Sequence, residues 1–182
     1  LENFCSDEVV LIGRQTQIKE RIRNSRFHYP TYLIPTPPVG FRGERLWRFF
    51  SVFLGIIVGL FAILFHRPKA ILAFYRDESS LLTGYILHKL TQLPLYSYFL
   101  DIYLENYKRG YYRKVAAWLQ PRVFRDSEKV IVLTEAMKQY FSQEYGLDAL
   151  VLPHCKNDPI PALGKIKPIQ GVRKIGYLGG IN

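Results

Sequence analysis

Carboxylates and aromatic rings occur together directly after one apolar run of this sequence. Asp101 ends the run 95–100 and is followed closely by Tyr103 and Glu105. This mixture suits a carbohydrate, because a sugar offers apolar C–H faces to aromatic rings and hydroxyl groups to carboxylates. A carboxylate placed there could orient sugar hydroxyls or take up a proton, so Asp101 is the candidate catalytic residue. A loop with no catalytic role is the alternative.

Polar residues also follow other apolar runs. In an open parallel sheet the ligand lies beyond the carboxyl ends of the strands, so such residues are the ones that would meet it. The helix dipole also favours acidic residues at a helix start, and for Glu78 and Glu135 this structural role is preferred. The candidate acceptor- or cleft-lining residues are Arg76, Asp77, Glu105, Thr134, Glu135 and His154.

Several common chemistries have no motif in this sequence. Neither Gly-x-Gly-x-x-Gly nor Gly-x-x-x-x-Gly-Lys occurs, so both familiar phosphate-binding loops are absent. The four histidines lie far apart and no Gly-x-Ser-x-Gly accompanies them, which gives a hydrolase triad no local support. Cys5 and Cys155 have no further Cys or His at metal-ligand spacing, so we expect no metal and a reducing compartment.

Positive charge is a second candidate feature. The 25 Lys and Arg exceed the 15 Asp and Glu by 10, and residues 1–76 hold 11 basic and 5 acidic side chains. Such charge attracts nucleic-acid phosphates, an anionic membrane or a phosphorylated substrate, and an ordinary solvated helix face is the alternative for residues 107–114. The candidate membrane or phosphate contacts are Arg42, Arg45, Arg48, Lys108, Arg109, Arg113 and Lys114.

Short apolar runs alternate with longer helical stretches, and this alternation predicts the scaffold that positions these residues. Apolar residues make up 48% of the 182 residues, which excludes a disordered chain. The pattern predicts a Rossmann-like, doubly wound α/β fold with a parallel sheet. Strands are predicted at 9–12, 32–34, 70–75, 95–100, 130–133, 150–152 and 175–178, and helices at 15–24, 44–65, 79–91, 106–120 and 135–145. Ser79 or Ser80 and Thr134 are predicted N-caps, and Gly146 a helix C-terminus.

The most apolar run, Phe49 to Phe65, is 17 residues long with only Ser51 polar, near the lower limit for a membrane span. Gly55 and Gly59 form a Gly-x-x-x-Gly pair within it. Because strands are predicted on both sides, we favour a helix of the α/β domain, buried or lying on a membrane surface, over a true span.

The order of the motifs resembles the N-terminal half of family 4 glycosyltransferases, which have the GT-B architecture. His66-Arg67-Pro68-Lys69-Ala70-Ile71, with Leu93-Pro94-Leu95 after a helix, is similar to the family's "P-D-x-I … P-L" segments. Phe99-Leu100-Asp101-Ile102-Tyr103-Leu104-Glu105 is similar to "H-D-L-W-P-E". Asp126 to Lys138, Tyr145-Gly146 and Val151 to Asn157 are similar to "A-D-x-V-I-x-x-S-E-x-x-K … Y-G … V-I-P-N-G-V-D". The resemblance covers about residues 66–182.

The resemblance implies a domain arrangement and an activity. Residues 1–152 would be a Rossmann-like acceptor-side domain lacking its first strand, 153–171 a linker, and 172–182 the first strand of a nucleotide-sugar domain, so that the fold is truncated at both ends. The family transfers a sugar from a nucleotide sugar to a glycan or lipid-linked acceptor, usually with retention and without a metal. It would need no cofactor and would act in polysaccharide or glycolipid synthesis, peripherally at the cytoplasmic face of the cell membrane.

This sequence also departs from the family pattern. Lys69, Leu100, Leu104 and Cys155 stand where the family commonly has Asp, His or Arg, Pro and Gly. The family's donor-site pair of glutamates is missing, so the fragment by itself should be inactive. The alternative is a non-enzymatic, basic α/β protein that binds a membrane or nucleic acid, although no nucleic-acid motif accompanies the charge.

Overall fold

The computed structural model describes residues 9–14, 30–35, 43–75, 78–107 and 110–153. The strands are β1 Leu11–Arg14, β2 Thr31–Ile34, β3 Ile71–Tyr75, β4 Leu95–Phe99, β5 Lys129–Val132 and β6 Leu150–Val151. The helices are α1 Glu44–His66, α2 Glu78–Thr91, α3 Tyr111–Asp126 and α4 Glu135–Tyr145. The predicted helix at 15–24, the linker after Pro153 and the predicted strand at 175–178 lie outside the described residues.

All strand pairs are parallel, which confirms the predicted α/β class. β3, β4, β5 and β6 form one sheet in sequence order, with Ile71 opposite Leu95 and Tyr75 opposite Phe99. β1 and β2 form a separate pair, and within the described residues neither of them pairs with β3. The single sheet expected from the sequence is therefore divided into two here. These features are consistent with a Rossmann-like fold.

The helices lie on one face of the larger sheet. Ala73 of β3 packs against Gly84 of α2, while Phe99 of β4 contacts both Phe124 of α3 and Phe141 of α4. Strands that follow one another with right-handed crossovers place all their helices on the same side, which explains this layer. A doubly wound sheet has helices on both faces, and no described helix covers the second face.

An aromatic core joins the sheet to the helices. Phe99, Tyr103 and Phe141 are fully buried, and the Phe99 ring lies 5.3 Å from Phe124 and 5.7 Å from Phe141. Burial of one such ring stabilises the fold by about 1.5 to 3 kcal/mol. These contacts fix α3 and α4 on the carboxyl half of β4.

Helix α1 buries one side only, as a helix of the α/β domain. Ser51, Gly55, Gly59 and Ala62 are buried along that side. A Cβ atom at Gly59 would lie 2.4 Å from Leu87 of α2, so the Gly-x-x-x-Gly pair permits close packing of α1 on α2. The opposite side of α1 is exposed.

The predicted helix at 135–145 is confirmed together with both of its ends. Thr134 Oγ1 accepts the backbone N–H of Met137 at 3.2 Å, and Gly146 has the left-handed conformation at φ 66°. The predicted caps Ser79 and Ser80 are wrong, because α2 already begins at Glu78 and places both serines within its first turn.

The predicted helix at 106–120 is wrong at both ends. The helix begins at Tyr111, after Gly110 at φ 96°, because residues 101–107 form a turn-rich loop. It continues through Pro121 to Asp126. Val123 and Phe124 are buried on the same stripe as Leu119, and their burial stabilises the last turn beyond an exposed proline.

Candidate functional site

The carboxyl ends of β3 and β4 place a group of tyrosines and acidic residues at one edge of the sheet. The loop 100–107 after β4 folds back over the end of β3, and the Tyr75 and Tyr103 rings lie 4.3 Å apart. Burial raises the pKa of the Tyr75 phenol, and the nearby charge of Glu78 raises it further. The phenol therefore stays neutral at physiological pH and can act as a hydrogen-bond donor.

Glu78, at the start of α2, is the buried carboxylate of this edge, whereas Asp101 and Glu105 are exposed. It is 6% exposed, and its Oε2 accepts a hydrogen bond from Arg48 Nη1 of α1 at 2.8 Å. Its Oε1 accepts the hydroxyl of Tyr107. The Arg48 guanidinium also lies 4.8 Å from the centre of the Tyr112 ring. Glu78 thus connects α2 to α1 and to the loop 100–107 through a paired, nearly buried charge. Its partner Arg48 makes the contact with α3.

A small open cavity adjoins this group. It measures about 420 Å³, including the solvent at its mouth, and lies between α1, α2 and α3. Phe49, Val52, Leu82 and Val115 supply apolar walls, whereas Arg48 and Glu78 supply charge. An apolar cavity with a few polar groups at one end suits a ligand that is itself apolar with a polar head.

Asp101 is exposed and holds the loop that contains it. Its Oδ1 accepts the backbone N–H of Ile102 at 2.8 Å, and its Oδ2 accepts the amide of Asn106 at 2.9 Å. Each carboxylate oxygen can accept more than one hydrogen bond, so these contacts leave room for a ligand hydroxyl.

Glu105 connects the same loop to α4. It accepts the hydroxyl of Tyr140 at 2.8 Å and also the hydroxyl of Tyr145. The pKa of Tyr140 is raised mainly by this hydrogen bond, and the pKa of Tyr145 mainly by burial, with Glu105 adding to it. Both phenols therefore remain neutral donors to Glu105 near neutral pH.

The structure brings part of the predicted cleft together. Asp101 and Glu105 share one loop, while Thr134 and Glu135 lie at the start of α4, to which Glu105 is bonded. Thr134 caps the helix and Glu135 is exposed in its first turn. The remaining predicted cleft residues, Arg76, Asp77 and His154, lie outside the described residues.

The predicted basic contacts differ in their surroundings. Arg48 is engaged by Glu78, whereas Arg113 and Lys114 are exposed on α3 and Arg113 Nη1 donates to the Tyr107 carbonyl at 2.9 Å. Arg45 lies within α1, but its side chain is outside the described part of the chain. Arg42, Lys108 and Arg109 are also outside it.

The exposed side of α1 is a continuous apolar stripe. Leu46–His66 is long and apolar enough to cross a membrane, with a mean hydropathy of 2.5 and 22% of that stretch buried. Tyr111 of α3 extends the stripe, since its ring lies 6.3 Å from that of Phe49. The exposed large apolar residues of α1 are Leu46, Phe49, Phe50, Phe53, Ile57, Leu60, Phe61, Leu64 and Phe65.

Sequence reasoning missed the residues that surround Glu78. Tyr107 and Tyr112 lie in the segment 107–114, which stands out in the sequence by its positive charge alone. Gln120, which accepts the Leu104 N–H at 3.0 Å, has no distinguishing pattern around it. The signal in the sequence was the density of tyrosines near Glu105, because buried phenols need acceptors. Within the described ranges, no three His, Cys, Asp or Glu side chains form a group that could hold a metal ion.

Comparison with protein-family models and with curated protein sequences finds no match to this chain.

Proposed function

We propose that this chain is the acceptor-side part of a membrane-associated glycosyltransferase of GT-B architecture. The enzyme transfers a sugar from a nucleotide sugar to a glycan or lipid-linked acceptor, in the synthesis of a polysaccharide or glycolipid. The donor is bound mainly by a second domain that begins near residue 172. No metal or cofactor is needed in this proposal.

One observation carries the proposal. Two of the segments that resemble the glycosyltransferase family meet at the carboxyl edge of the sheet: Glu105 of 99–105 accepts the hydroxyl of Tyr145, from the Tyr145-Gly146 motif, and that of Tyr140 nearby on α4. Ligands of open parallel sheets bind beyond this edge. The segments are therefore adjacent at the place where a ligand of this fold class would bind.

The groups at this edge support recognition of a sugar. Asp101 and Glu105 are exposed carboxylates that can accept hydrogen bonds from hydroxyl groups. Tyr103 is fully buried, so of the two tyrosines of the loop only the half-buried Tyr107 could pack on a C–H face. In the proposed reaction Asp101 orients the acceptor or takes up its proton. Thr134 and Glu135 border the cleft towards the second domain.

The outer side of α1 supports attachment at a membrane. Its stripe of phenylalanine, leucine and isoleucine side chains is apolar, and the exposed cations Arg113 and Lys114 lie on the neighbouring α3. An apolar helix face beside cations is typical of a helix that lies in the interface of an anionic bilayer. The proposal therefore places the enzyme peripherally at the cytoplasmic face of the cell membrane, with no role in nucleic-acid binding.

Replacing Asp101 tests the sugar-transfer role. In the complete protein, Asp101→Asn should lower the rate of sugar transfer about 100-fold or more, because an amide cannot take up the proton. The melting temperature should remain close to that of the wild type, since the Asn oxygen can still accept the Ile102 N–H and the exposed Asn106 amide can turn so that its own oxygen accepts the new NH2. The matched control is Asp148→Asn. Asp148 is an exposed carboxylate that precedes β6, at the amino ends of the strands and away from Asp101, so this change should leave the rate unchanged. An unchanged rate in Asp101→Asn would refute the assigned role.

A non-enzymatic membrane-binding protein is the second candidate. The observation that favours it is that Glu78, Glu105 and Asp101 all accept hydrogen bonds within the protein, as structural residues do. The two candidates are separated by incubating the complete protein with radiolabelled nucleotide sugars and a membrane extract. Transfer of label to a lipid or glycan supports the enzyme, and vesicle binding without any transfer supports the second candidate.

A further inference from the structure

Three helices begin side by side at the carboxyl edge of the sheet. α2 follows directly after β3, and α3 follows the loop 100–107 at the end of β4. α1 runs parallel to α2, because Gly55 packs on Thr83 and Gly59 on Leu87. The first turns of all three helices therefore lie at this edge, and the cavity of about 420 Å³ lies between them.

The residues that line this cavity form two layers. Residues four apart lie on one face of a helix, one turn above another, and each of the three helices contributes such a pair. The layer at the helix starts holds the charged side chains Arg48 and Glu78, together with Tyr111. The layer one turn further along is entirely apolar and consists of Val52, Leu82 and Val115. The cavity is therefore charged at the carboxyl edge and apolar beyond it.

The apolar layer suits a hydrocarbon chain. Its side chains offer no hydrogen bond to the hydroxyls of a sugar or to the edge of a nucleobase, so such groups would lose their bound water there without compensation. A volume of about 420 Å³ lies at the lower end of the usual range of about 300 to 1,000 Å³ for small-molecule sites. The cavity thus has the lining and the size for one chain.

The charged end suits an uncharged head. The Glu78 carboxylate accepts Arg48 Nη1 at 2.8 Å, so the pair as a whole is neutral. A phosphate placed there would be attracted by the guanidinium and repelled by the carboxylate beside it. A hydroxyl group can instead donate to the carboxylate or accept from the guanidinium. A head that carries hydroxyl groups is therefore favoured over a phosphate.

The cavity reaches the surface beside the exposed stripe of α1. Among its lining residues, Phe49 is 58% and Tyr111 is 47% exposed, whereas the others are buried or half-buried. The Phe49 and Tyr111 rings lie 6.3 Å apart, and both belong to the stripe. A chain that leaves a bilayer in contact with the stripe would enter the cavity without crossing water.

We propose that this cavity binds one hydrocarbon chain of a membrane lipid whose uncharged, hydroxyl-bearing head lies at the carboxyl edge. The chain packs on Val52, Leu82 and Val115. The head lies next to the loop 100–107, since Tyr107 of that loop donates to Glu78. The acceptor of the proposed transfer reaction is then a glycolipid rather than a free glycan. This last step rests on the proposed function, whereas the chain site does not.

Binding of monomeric alkyl glucosides to the full chain tests the site. Hexyl, heptyl, octyl and nonyl glucoside are titrated by calorimetry below the concentrations at which they form micelles, with no vesicles present. Each added methylene group should raise the affinity about 4-fold, as expected for the burial of one CH2 group in an apolar site. Octyl phosphate, which has the phosphate head of a bulk phospholipid, should bind several-fold more weakly than octyl glucoside.

A variant that fills the cavity should block the chain. Val52→Phe should lower the affinity for octyl glucoside at least about 50-fold, which corresponds to about three methylene groups. The matched control is Val58→Phe, the same enlargement at a half-buried position of α1 that does not line the cavity. Phe53→Ser, which alters the exposed stripe, should also leave this affinity unchanged. The titration requires neither vesicles nor a nucleotide sugar, so its result is independent of membrane attachment and of sugar transfer.

Photolabelling of the wild type gives a second measurement, which does not depend on the folding of a variant. An octyl glucoside analogue with a diazirine near the end of its chain should label residues of the apolar layer on all three helices. Label confined to 53–65 would place the chain on the outer surface of α1 and overturn the inference.

Other results of the titration would also contradict the proposed site. Equal affinities of Val52→Phe and Val58→Phe for octyl glucoside would mean that the chain does not enter the cavity. An equal loss of affinity in Phe53→Ser and Val52→Phe would assign the binding to the stripe. Tighter binding of octyl phosphate than of octyl glucoside would assign the site to bulk phospholipid. Affinity that falls as the protein concentration rises would mean that a second copy of the chain occupies the cavity.

Discussion

Replacing Phe53 in the middle of the exposed α1 stripe should weaken membrane binding while the protein stays folded. Phe53 is 61% exposed, so most of its surface makes no contact within the folded protein. Phe53→Ser removes this aromatic ring from the surface that we propose lies in the bilayer interface. The free energy of unfolding, measured in urea, should fall by no more than about 2 kcal/mol, because about 80 Å² of the side chain is covered in the fold.

The size of the binding effect follows from the exposed area. A phenylalanine side chain presents about 200 Å². With 61% of it exposed, about 120 Å² is available for transfer to lipid. At about 25 cal/mol per Å² this is about 3 kcal/mol for complete immersion and about 1.5 kcal/mol for half immersion. Phe53→Ser should accordingly lower the vesicle partition coefficient by about 10- to 150-fold.

The assay is cosedimentation with vesicles of phosphatidylcholine and phosphatidylglycerol. The matched control is Leu150→Ser, which removes a 51% exposed apolar side chain from β6, at the edge of the sheet farthest from α1. Wild type and Leu150→Ser should bind alike, and binding should persist at high salt because its apolar part is not screened. Equal binding by Phe53→Ser and Leu150→Ser would refute the placement of α1 at the membrane.

Three further predictions concern stability in urea. Gly84→Ala places a Cβ 2.6 Å from the Ala73 Cβ, which no rotamer can relieve, and should cost about 1 to 3 kcal/mol. Thr134→Ala removes the N-cap of α4 and should cost about 1 kcal/mol. The hydrogen bond from Arg125 holds the pKa of Asp126 well below its usual range, so its contribution is complete above about pH 4 and is lost as the pH falls further. Asp126→Asn should therefore reduce the loss of stability between pH 5 and pH 2.

Other outcomes would contradict these arguments. A neutral Gly84→Ala would mean that α2 can move away from β3 at little cost. If Thr134→Ser failed to restore most of the stability that Thr134→Ala loses, the hydroxyl would not be the cap. If Asp126→Asn kept the full acid dependence of the wild type, carboxylates elsewhere would account for it.

The sequence determined the type and position of most elements. The strands are short apolar runs, and their bounds in the structure differ from the predicted ones by at most two residues at either end. Helix α4 was predicted to the residue because the signals of its ends are local, a hydroxyl before the first turn and a glycine after the last. The alternation of strands and helices was sufficient to predict a parallel α/β fold.

Tertiary contacts decided the features that depend on distant residues. The carboxyl end of α3 follows from burial of Val123 and Phe124 in the core, which outweighs the local signal of Pro121. The surroundings of Glu78 also depend on distant residues, although the local sequence already indicates that Glu78 lies at a helix start. In the fold it also meets Arg48, which lies 30 positions away in sequence.

The apolar run at 49–65 shows most directly what the sequence determines and what the tertiary structure determines. Its composition alone predicts an apolar helix, but not which side of the helix is buried or which elements cover that side. Packing of Gly55 and Gly59 on α2 and β2 buries one side and leaves the phenylalanines of the other exposed. The division of the strands into two sheets likewise could not be predicted from the sequence, because strand pairing joins residues far apart in the chain.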